Sequence, residues 1–141
     1  MKCNYITIER EYGSGGTEIA RRVAQECGIN CYGPEILEAV SEKYGIPVDR
    51  IQHYEETVRG SFLYTVFVMS QVRAGDDNML PEEGHIFLAE QQAIERLAGN
   101  GPAVFLGHCA AQALKKYPGV VKVFIRAGAE EKKKRITEEY G

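Results

Sequence analysis

The 141-residue sequence has no apolar run near the roughly 20 residues that a membrane-spanning helix needs. Its N-terminus also lacks the long apolar core of a secretory signal peptide. The formal net charge of −3 provides no broad positive surface for nucleic acid or for an anionic membrane. These absences favour a cytoplasmic protein that binds neither membranes nor nucleic acid, so any positive charge that holds phosphate must be local.

Metal-binding signatures are also missing. The three histidines include no pair at zinc spacing, and no C-x-x-C pair occurs among the four cysteines, which are Cys3, Cys27, Cys31 and Cys109. Free cysteine is among the most buried residue types. We therefore predict buried, reduced thiols and no metal site built from these side chains.

What the sequence does contain is a glycine-rich stretch between an apolar run and an amphipathic helix pattern. The β-branched residues from Cys3 to Ile8 predict a central parallel strand, and a helix is predicted from about Gly15 to Glu26. Glycines allow backbone amides to approach an anion, and a helix N-terminus adds partial positive charge. The stretch therefore predicts a phosphate-binding loop.

The loop matches the P-loop pattern G-x-x-x-x-G-K-[ST] only in part. Aligned on its end, the sequence has the second glycine at Gly15 and the hydroxyl residue at Thr17. Arg10 stands where the pattern has its first glycine, and Gly16 stands where it has lysine. The loop has therefore lost the usual cation.

Three arginines near the loop could supply the missing charge, namely Arg10, Arg21 and Arg22. Arg21 and Arg22 fall outside the apolar stripe of the predicted helix, so solvent-exposed positions are favoured for both. The sequence leaves the choice among the three open.

The rest of the chain alternates strand and helix patterns. Strands are predicted at Ala103 to Leu106 and Val120 to Ile125, and Cys31-Tyr32 could end a very short one. Helices are predicted at about 34–44, 47–54, 82–98, 110–117 and 129–140. This order predicts one α/β domain over residues 1–141, with a mainly parallel sheet and helices on both faces. Ligands of such folds bind at the C-terminal ends of the strands.

The apolar run Phe62 to Met69 fits a strand or a helix, and a helix is favoured because the pattern continues through Arg73. Core packing is favoured over a partner surface for this run, although a dimer face, and hence a homo-oligomer, is an alternative.

Four blocks of sequence together resemble the cytidylate-kinase-like family of P-loop proteins. In order and spacing they cover nearly the whole chain, at Ile6–Gly16, Ser61–Tyr64, Phe87–Gln91 and Val104–Ala110. The resemblance implies the three-layer α/β fold of P-loop nucleoside monophosphate kinases, with ATP as phosphoryl donor, Mg²⁺, and CMP or dCMP as acceptor. Two alternatives remain: a catalytically inactive nucleotide-binding or interaction module, and an ordinary tight turn at the glycines.

The resemblance also implies roles for individual residues. The phosphates of the cofactor would be bound by Gly13, Ser14, Gly15, Gly16 and Thr17, with Thr17 also meeting Mg²⁺. Phosphoryl transfer needs positioning and positive charge rather than covalent chemistry. The candidates for that catalytic charge are Arg10 and Arg135, and Glu9 or Glu11 could hold Mg²⁺ through water.

Arg59 and His108 are the candidates for binding the acceptor. Relatives have Gly-Arg-Cys-Ala-Asp where this chain has Gly107-His108-Cys109-Ala110-Ala111. An arginine there would grip the acceptor phosphate through two hydrogen bonds, which a histidine cannot do. Relatives also continue into a lid, a final strand and a helix, so the resemblance implies a chain that is C-terminally short and lacks the lid.

Overall fold

A computed structural model describes residues 3–51 and 82–139 of the chain. The strands are β1 (Tyr5–Arg10), β2 (Asn30–Tyr32), β3 (Ala103–Leu106) and β4 (Val120–Ile125). The helices are α1 (Gly16–Cys27), α2 (Pro34–Tyr44), α3 (Glu82–Ala98), α4 (Ala110–Ala113) and α5 (Ala129–Glu139). Residues 48–51 are also helical.

The strands form one parallel sheet in the order β2-β3-β1-β4. Strand β1 is internal and pairs with β3 on one side, up to Ile8 opposite Leu106. On its other side β1 pairs with β4 along its whole length, ending with Arg10 opposite Ile125. The segments that follow these three strands therefore leave the sheet at one edge. The predicted α/β fold with a parallel sheet is confirmed.

The core of this sheet is built from small and branched side chains. A buried cluster of Ile8, Ala20, Ala24, Val104 and Leu106 joins β1, β3 and α1. The two alanines allow α1 to approach the sheet closely, and burial of each branched side chain contributes about 1.5–3 kcal/mol relative to exposure. The packing holds the start of α1 beside the ends of β1 and β3.

Residues Pro34–Ala93 form a separate compact unit, whereas the sheet belongs to the unit made of residues Met1–Gly33 and Ile94–Gly141. Within the described part of the Pro34–Ala93 unit, α2 buries Ile36, Leu37 and Val40. The Tyr44 hydroxyl donates a 3.0 Å hydrogen bond to Gln92 Oε1. A single domain over residues 1–141 stays a prediction.

One predicted helix is shorter in the structure than in the sequence pattern. The segment expected to be helical from about residue 110 to 117 ends as a helix at Ala113. Leu114 follows with φ −97° and ψ 15°, and the Tyr117 amide then donates to the Leu114 carbonyl at 3.0 Å. Turns before Pro118 and Gly119 therefore replace the last residues of the predicted helix.

The prediction of buried thiols is wrong. Cys3 and Cys27 are exposed, Cys31 and Cys109 are half-buried, and none of the four forms a disulfide. Cys3 precedes β1, and Cys27 is the last residue of α1, so neither lies on an internal face. Burial preference alone does not place a residue that falls at the end of an element.

Several predictions fall outside the described residues. They are the end of the 47–54 helix, the apolar segment 62–69 with its alternative as a dimer face, and the acceptor candidate Arg59. Within residues 3–51 and 82–139, no helix is both long enough and apolar enough to cross a membrane. The cytoplasmic location and the homo-oligomer stay predictions.

Candidate phosphate-binding site

The glycine loop connects β1 to α1 and takes its shape from two left-handed residues. Gly13 has φ 81° and Gly15 has φ 82°, a region that costs an L-residue about 1–2 kcal/mol. The Ser14 amide donates to the Glu11 carbonyl at 3.1 Å, and the Gly16 amide donates to Ser14 Oγ at 3.3 Å. These two hydrogen bonds and the two left-handed glycines together define the shape of the turn.

The N-cap residue of helix α1 provides no side-chain cap, although Ser14 Oγ accepts from the first helical amide, that of Gly16. This N-cap residue is Gly15, which has no side chain to accept from the first amides, and Thr17 is the second helical residue. An anion can take the role of the cap, because the helix N-terminus carries partial positive charge and unpaired donors. The predicted phosphate residues 13–17 are brought together here by local chain geometry.

A cleft of about 430 Å³ opens beside the loop. Clefts that hold small molecules have volumes in the range of about 300–1,000 Å³. The cleft is lined by Arg10, Glu11, Tyr12, Gly13, Gly15, Gly16, Thr17, Glu18 and Arg21. It therefore combines glycine backbone, the Thr17 hydroxyl and two arginines.

Arg10 is the last residue of β1 and lies against two glycines. A Cβ atom at Gly16 would collide with Arg10 Cβ and would lie 2.7 Å from its Cγ. A Cβ atom at Gly107 would lie 2.8 Å from Arg10 Nη1. The side chain therefore begins beside Gly16 and ends beside Gly107, at the edge where β1 and β3 terminate.

Arg21 and Arg22 are both exposed, as the helix pattern predicts. Only Arg21 lines the cleft, because it follows Thr17 by four residues and so lies one helical turn further on the same face. Sequence reasoning treated the two arginines alike, although the spacing from Thr17 distinguishes them.

Helix α5 contacts the loop through two basic side chains. Arg135 Nη1 donates a 2.9 Å hydrogen bond to the Gly13 carbonyl oxygen. Lys132 Nζ lies 2.8 Å from Glu11 Oε2, and Arg126 Nε lies 3.5 Å from Glu11 Oε1. We call the Arg135–Gly13 and Lys132–Glu11 contacts the α5 clasp. Sequence spacing provides no signal for the clasp, whose partners are 122 and 121 residues apart.

The charges around Glu11 act on its titration. The hydrogen bond from the Lys132 ammonium, followed by smaller contributions from the Ala127 backbone and the Arg126 charge, lowers the pKa of Glu11 below its ordinary value. Partial desolvation opposes this effect without reversing it. The Glu11 carboxylate is therefore engaged by α5 and the segment before it, and it is a weaker candidate for Mg²⁺ than the sequence indicates.

The turn after β3 brings the acceptor candidate His108 to the same edge of the sheet. The Gly107 amide donates to the Ile8 carbonyl at 2.9 Å. Gly107, His108 and Cys109 have φ values of 73°, 60° and 58°, so three consecutive residues are left-handed. The Cys109 amide donates to Glu9 Oε1 at 3.2 Å, which engages the other acid proposed for Mg²⁺.

A parallel α/β sheet with a glycine turn between its internal strand and the following helix defines a P-loop-like fold. Residues 5–141 match the model of the cytidylate kinase-like family, and the chain belongs to that family. The membership supports a nucleotide-binding, kinase-like fold and confirms the resemblance seen in the sequence.

A solved structure, described as the crystal structure of an uncharacterized protein from Eubacterium ventriosum ATCC 27560, has the same fold. It is 22% identical, with a TM-score of 0.61, and the match covers 97% of this chain and 62% of that chain. This chain thus spans less than two thirds of that protein's length. No curated protein matches the sequence significantly.

Proposed function

We propose that the chain binds ATP with Mg²⁺ at the glycine loop and transfers the γ-phosphoryl group to CMP or dCMP. The proposal is carried by the loop geometry: left-handed Gly13 and Gly15, the start of α1 with its glycine N-cap, and Arg10 line one cleft. Phosphoryl transfer depends on positioning and on positive charge near the phosphates. Membership of the cytidylate kinase-like family supports the same chemistry.

The residues of the loop fit a nucleoside triphosphate with its metal. Backbone amides at the start of α1 would hold the phosphates, and the Thr17 hydroxyl would be a ligand of Mg²⁺. Mg²⁺ keeps several waters and takes phosphate oxygens as ligands, so it needs few protein ligands. When bound, the metal would neutralise charge on the transferred phosphoryl group.

His108, and Arg59 outside the described residues, are proposed to bind the acceptor. The left-handed turn after β3 places His108 at the edge of the sheet where the glycine loop lies. Arg135 is proposed as a second cation near the loop, because its guanidinium already touches the Gly13 carbonyl.

A second candidate function is nucleotide binding without transfer. It is favoured by His108 and Ala111, which stand where relatives have the arginine and aspartate of the Gly-Arg-Cys-Ala-Asp block. A histidine offers one donor to a phosphate where an arginine offers two. This candidate differs from the first only in the acceptor half of the site.

The test combines binding and turnover on the 141-residue chain. Titration calorimetry with ATP and Mg²⁺ measures binding, and coupled ADP release with a panel of nucleoside monophosphates measures transfer. Gly15→Ala should abolish ATP binding, whereas Gly28→Ala, at a left-handed residue with φ 65° far from the cleft, should retain it.

Turnover with CMP or dCMP above the ATPase background supports the kinase. Binding without turnover for any monophosphate supports the second candidate. Failure of the wild-type chain to bind ATP, or equal binding by the two alanine variants, contradicts both.

A further inference from the structure

Positions 10 and 16 of the loop carry the reverse of the P-loop pattern. The pattern has glycine at the first and lysine at the second, and this chain has Arg10 and Gly16. Two independent losses would leave the loop without its cation. An exchange between the two positions would keep one cation and one glycine.

The structure shows that the two positions share one space. A Cβ atom at Gly16 would collide with Arg10 Cβ and approach its Cγ to 2.7 Å. Gly16 does not have the positive φ of Gly13 and Gly15, so its backbone conformation does not require glycine. The requirement is steric and comes mainly from the arginine side chain, since the next neighbour, Ser14 Oγ, would lie 3.3 Å away.

The far end of Arg10 lies at the edge of the sheet where β1 and β3 end, the edge at which folds of this kind bind their ligands. Its Nη1 lies beside Gly107, which follows β3, while the same side chain lines the cleft of the glycine loop. A guanidinium is always charged and can donate two parallel hydrogen bonds to phosphate oxygens.

We propose that Arg10 supplies, from the end of β1, the phosphate-binding cation that lysine supplies at position 16 of the pattern, and that Gly16 is glycine because Arg10 fills its side-chain space. The inference rests on the proposed nucleotide binding and assigns its cation. It predicts that substitutions at the two positions are coupled rather than additive.

The steric part of the proposal, that Arg10 fills the side-chain space at position 16, can be tested without nucleotide. Gly16→Ala should lower the Tm of the chain by several degrees when Arg10 is present, because overpacking is destabilising. In an Arg10→Gly background the same substitution should be neutral or stabilising. Equal effects of Gly16→Ala in both backgrounds would overturn the steric claim.

The charge half is tested by ATP–Mg²⁺ titration of four variants. Arg10→Ala should raise the ATP Kd by about tenfold or more, the scale of a lost hydrogen bond to a charged group. Gly16→Lys alone should also weaken binding. The double variant Arg10→Gly with Gly16→Lys restores the pattern and should bind within a few-fold of wild type. Arg22→Ala, an exposed change away from the cleft, should leave the Kd unchanged.

Arg21→Ala tests the competing assignment, in which Arg21 rather than Arg10 supplies the cation, because Arg21 lines the same cleft. If Arg10→Ala binds ATP as well as wild type does and Arg21→Ala does not bind it, the inference is overturned. The proposed function stands in that case, because wild type binds ATP. A double variant no better than Gly16→Lys alone also overturns it. If wild type itself binds no ATP, the proposed function fails, and the Tm comparison still decides the steric claim.

Discussion

Arg135 Nη1 donates a 2.9 Å hydrogen bond to the carbonyl oxygen of Gly13, which attaches helix α5 to the glycine loop. The second contact of the α5 clasp, Lys132 with Glu11 at 2.8 Å, holds the residue at which β1 leads into the loop. Because a loop that binds phosphate must hold its amides in place, these contacts stabilise the geometry on which the proposed function depends.

Replacement of Arg135 by alanine should loosen this attachment. We expect Arg135→Ala to lower the free energy of unfolding by about 1 kcal/mol, since the guanidinium is partly solvated, and to weaken ATP binding. Urea denaturation and calorimetric titration measure the two effects. Lys134→Ala, an exposed neighbour on α5, is the matched control. If the two variants behave alike, the clasp does not organise the loop.

The Lys132–Glu11 contact should make stability depend on pH in the acid range. The pKa of Glu11 is lowered in the folded state, so its ionised form stabilises the fold above the ordinary value of 4.5, and this contribution is lost as the pH falls through the folded pKa. The difference in urea midpoint between wild type and Glu11→Gln should therefore be present at pH 7 and shrink progressively as the pH falls below 4.5.

Salt provides the control for this prediction. The contact is partly exposed, so added salt at neutral pH should reduce the difference between wild type and Glu11→Gln. A difference that persists unchanged from pH 7 to pH 3 would mean that the charge of Glu11 plays no part in it.

Gly13 should tolerate alanine less well than another left-handed glycine does. A Cβ atom at Gly13 would lie 3.0 Å from the Lys132 carbonyl oxygen and 2.9 Å from Ile136 Cδ1, whereas one at Gly28 would meet nothing within 4 Å. Both variants carry the conformational cost of about 1–2 kcal/mol. Urea denaturation should show a loss for Gly13→Ala that exceeds the loss for Gly28→Ala by about 1 kcal/mol or more. Equal losses would show that α5 yields to the new methyl group.

Thr17 should affect ATP binding through its hydroxyl group and only when Mg²⁺ is present. Thr17→Ala is expected to raise the Kd of ATP by about tenfold or more with Mg²⁺, which is the loss typical of substitutions around a metal site. Thr17→Ser retains the hydroxyl and should bind as wild type does. Calorimetry with Mg²⁺ and with EDTA checks this. If Mg²⁺ improves ATP binding by Thr17→Ala as much as it does for wild type, the proposed contact between Thr17 and the metal is contradicted.

Much of the sheet and its helices could be predicted from local patterns. The run through Ile8, the glycines after it and the apolar stripe of α1 are all consecutive, so period and turn chemistry placed β1, the loop and α1 within two residues of their observed bounds. The pattern was weaker where burial depends on distant packing. It missed the exposure of Cys3 and Cys27, the partial exposure of Cys31 and Cys109, and the early end of α4.

The candidate site likewise has one part that the sequence predicted and one part that it did not. Residues 13–17 are adjacent, and the anion binding proposed for them depends on the local turn, so the sequence alone indicated them. The Arg10–Gly16 relation was visible only as two departures from a pattern, because a steric overlap cannot be seen in a string of letters.

The sequence by itself determined the strand–loop–helix unit, the parallel α/β order and the family, since each depends on neighbouring residues or on the order of blocks along the chain. Only the tertiary structure decided which arginine lies against Gly16, that Arg21 rather than Arg22 lines the cleft, and that α5 contacts Gly13 and Glu11. The physical reason is that the parallel sheet brings the ends of β1, β3 and β4 to one edge, and so joins residues more than a hundred positions apart.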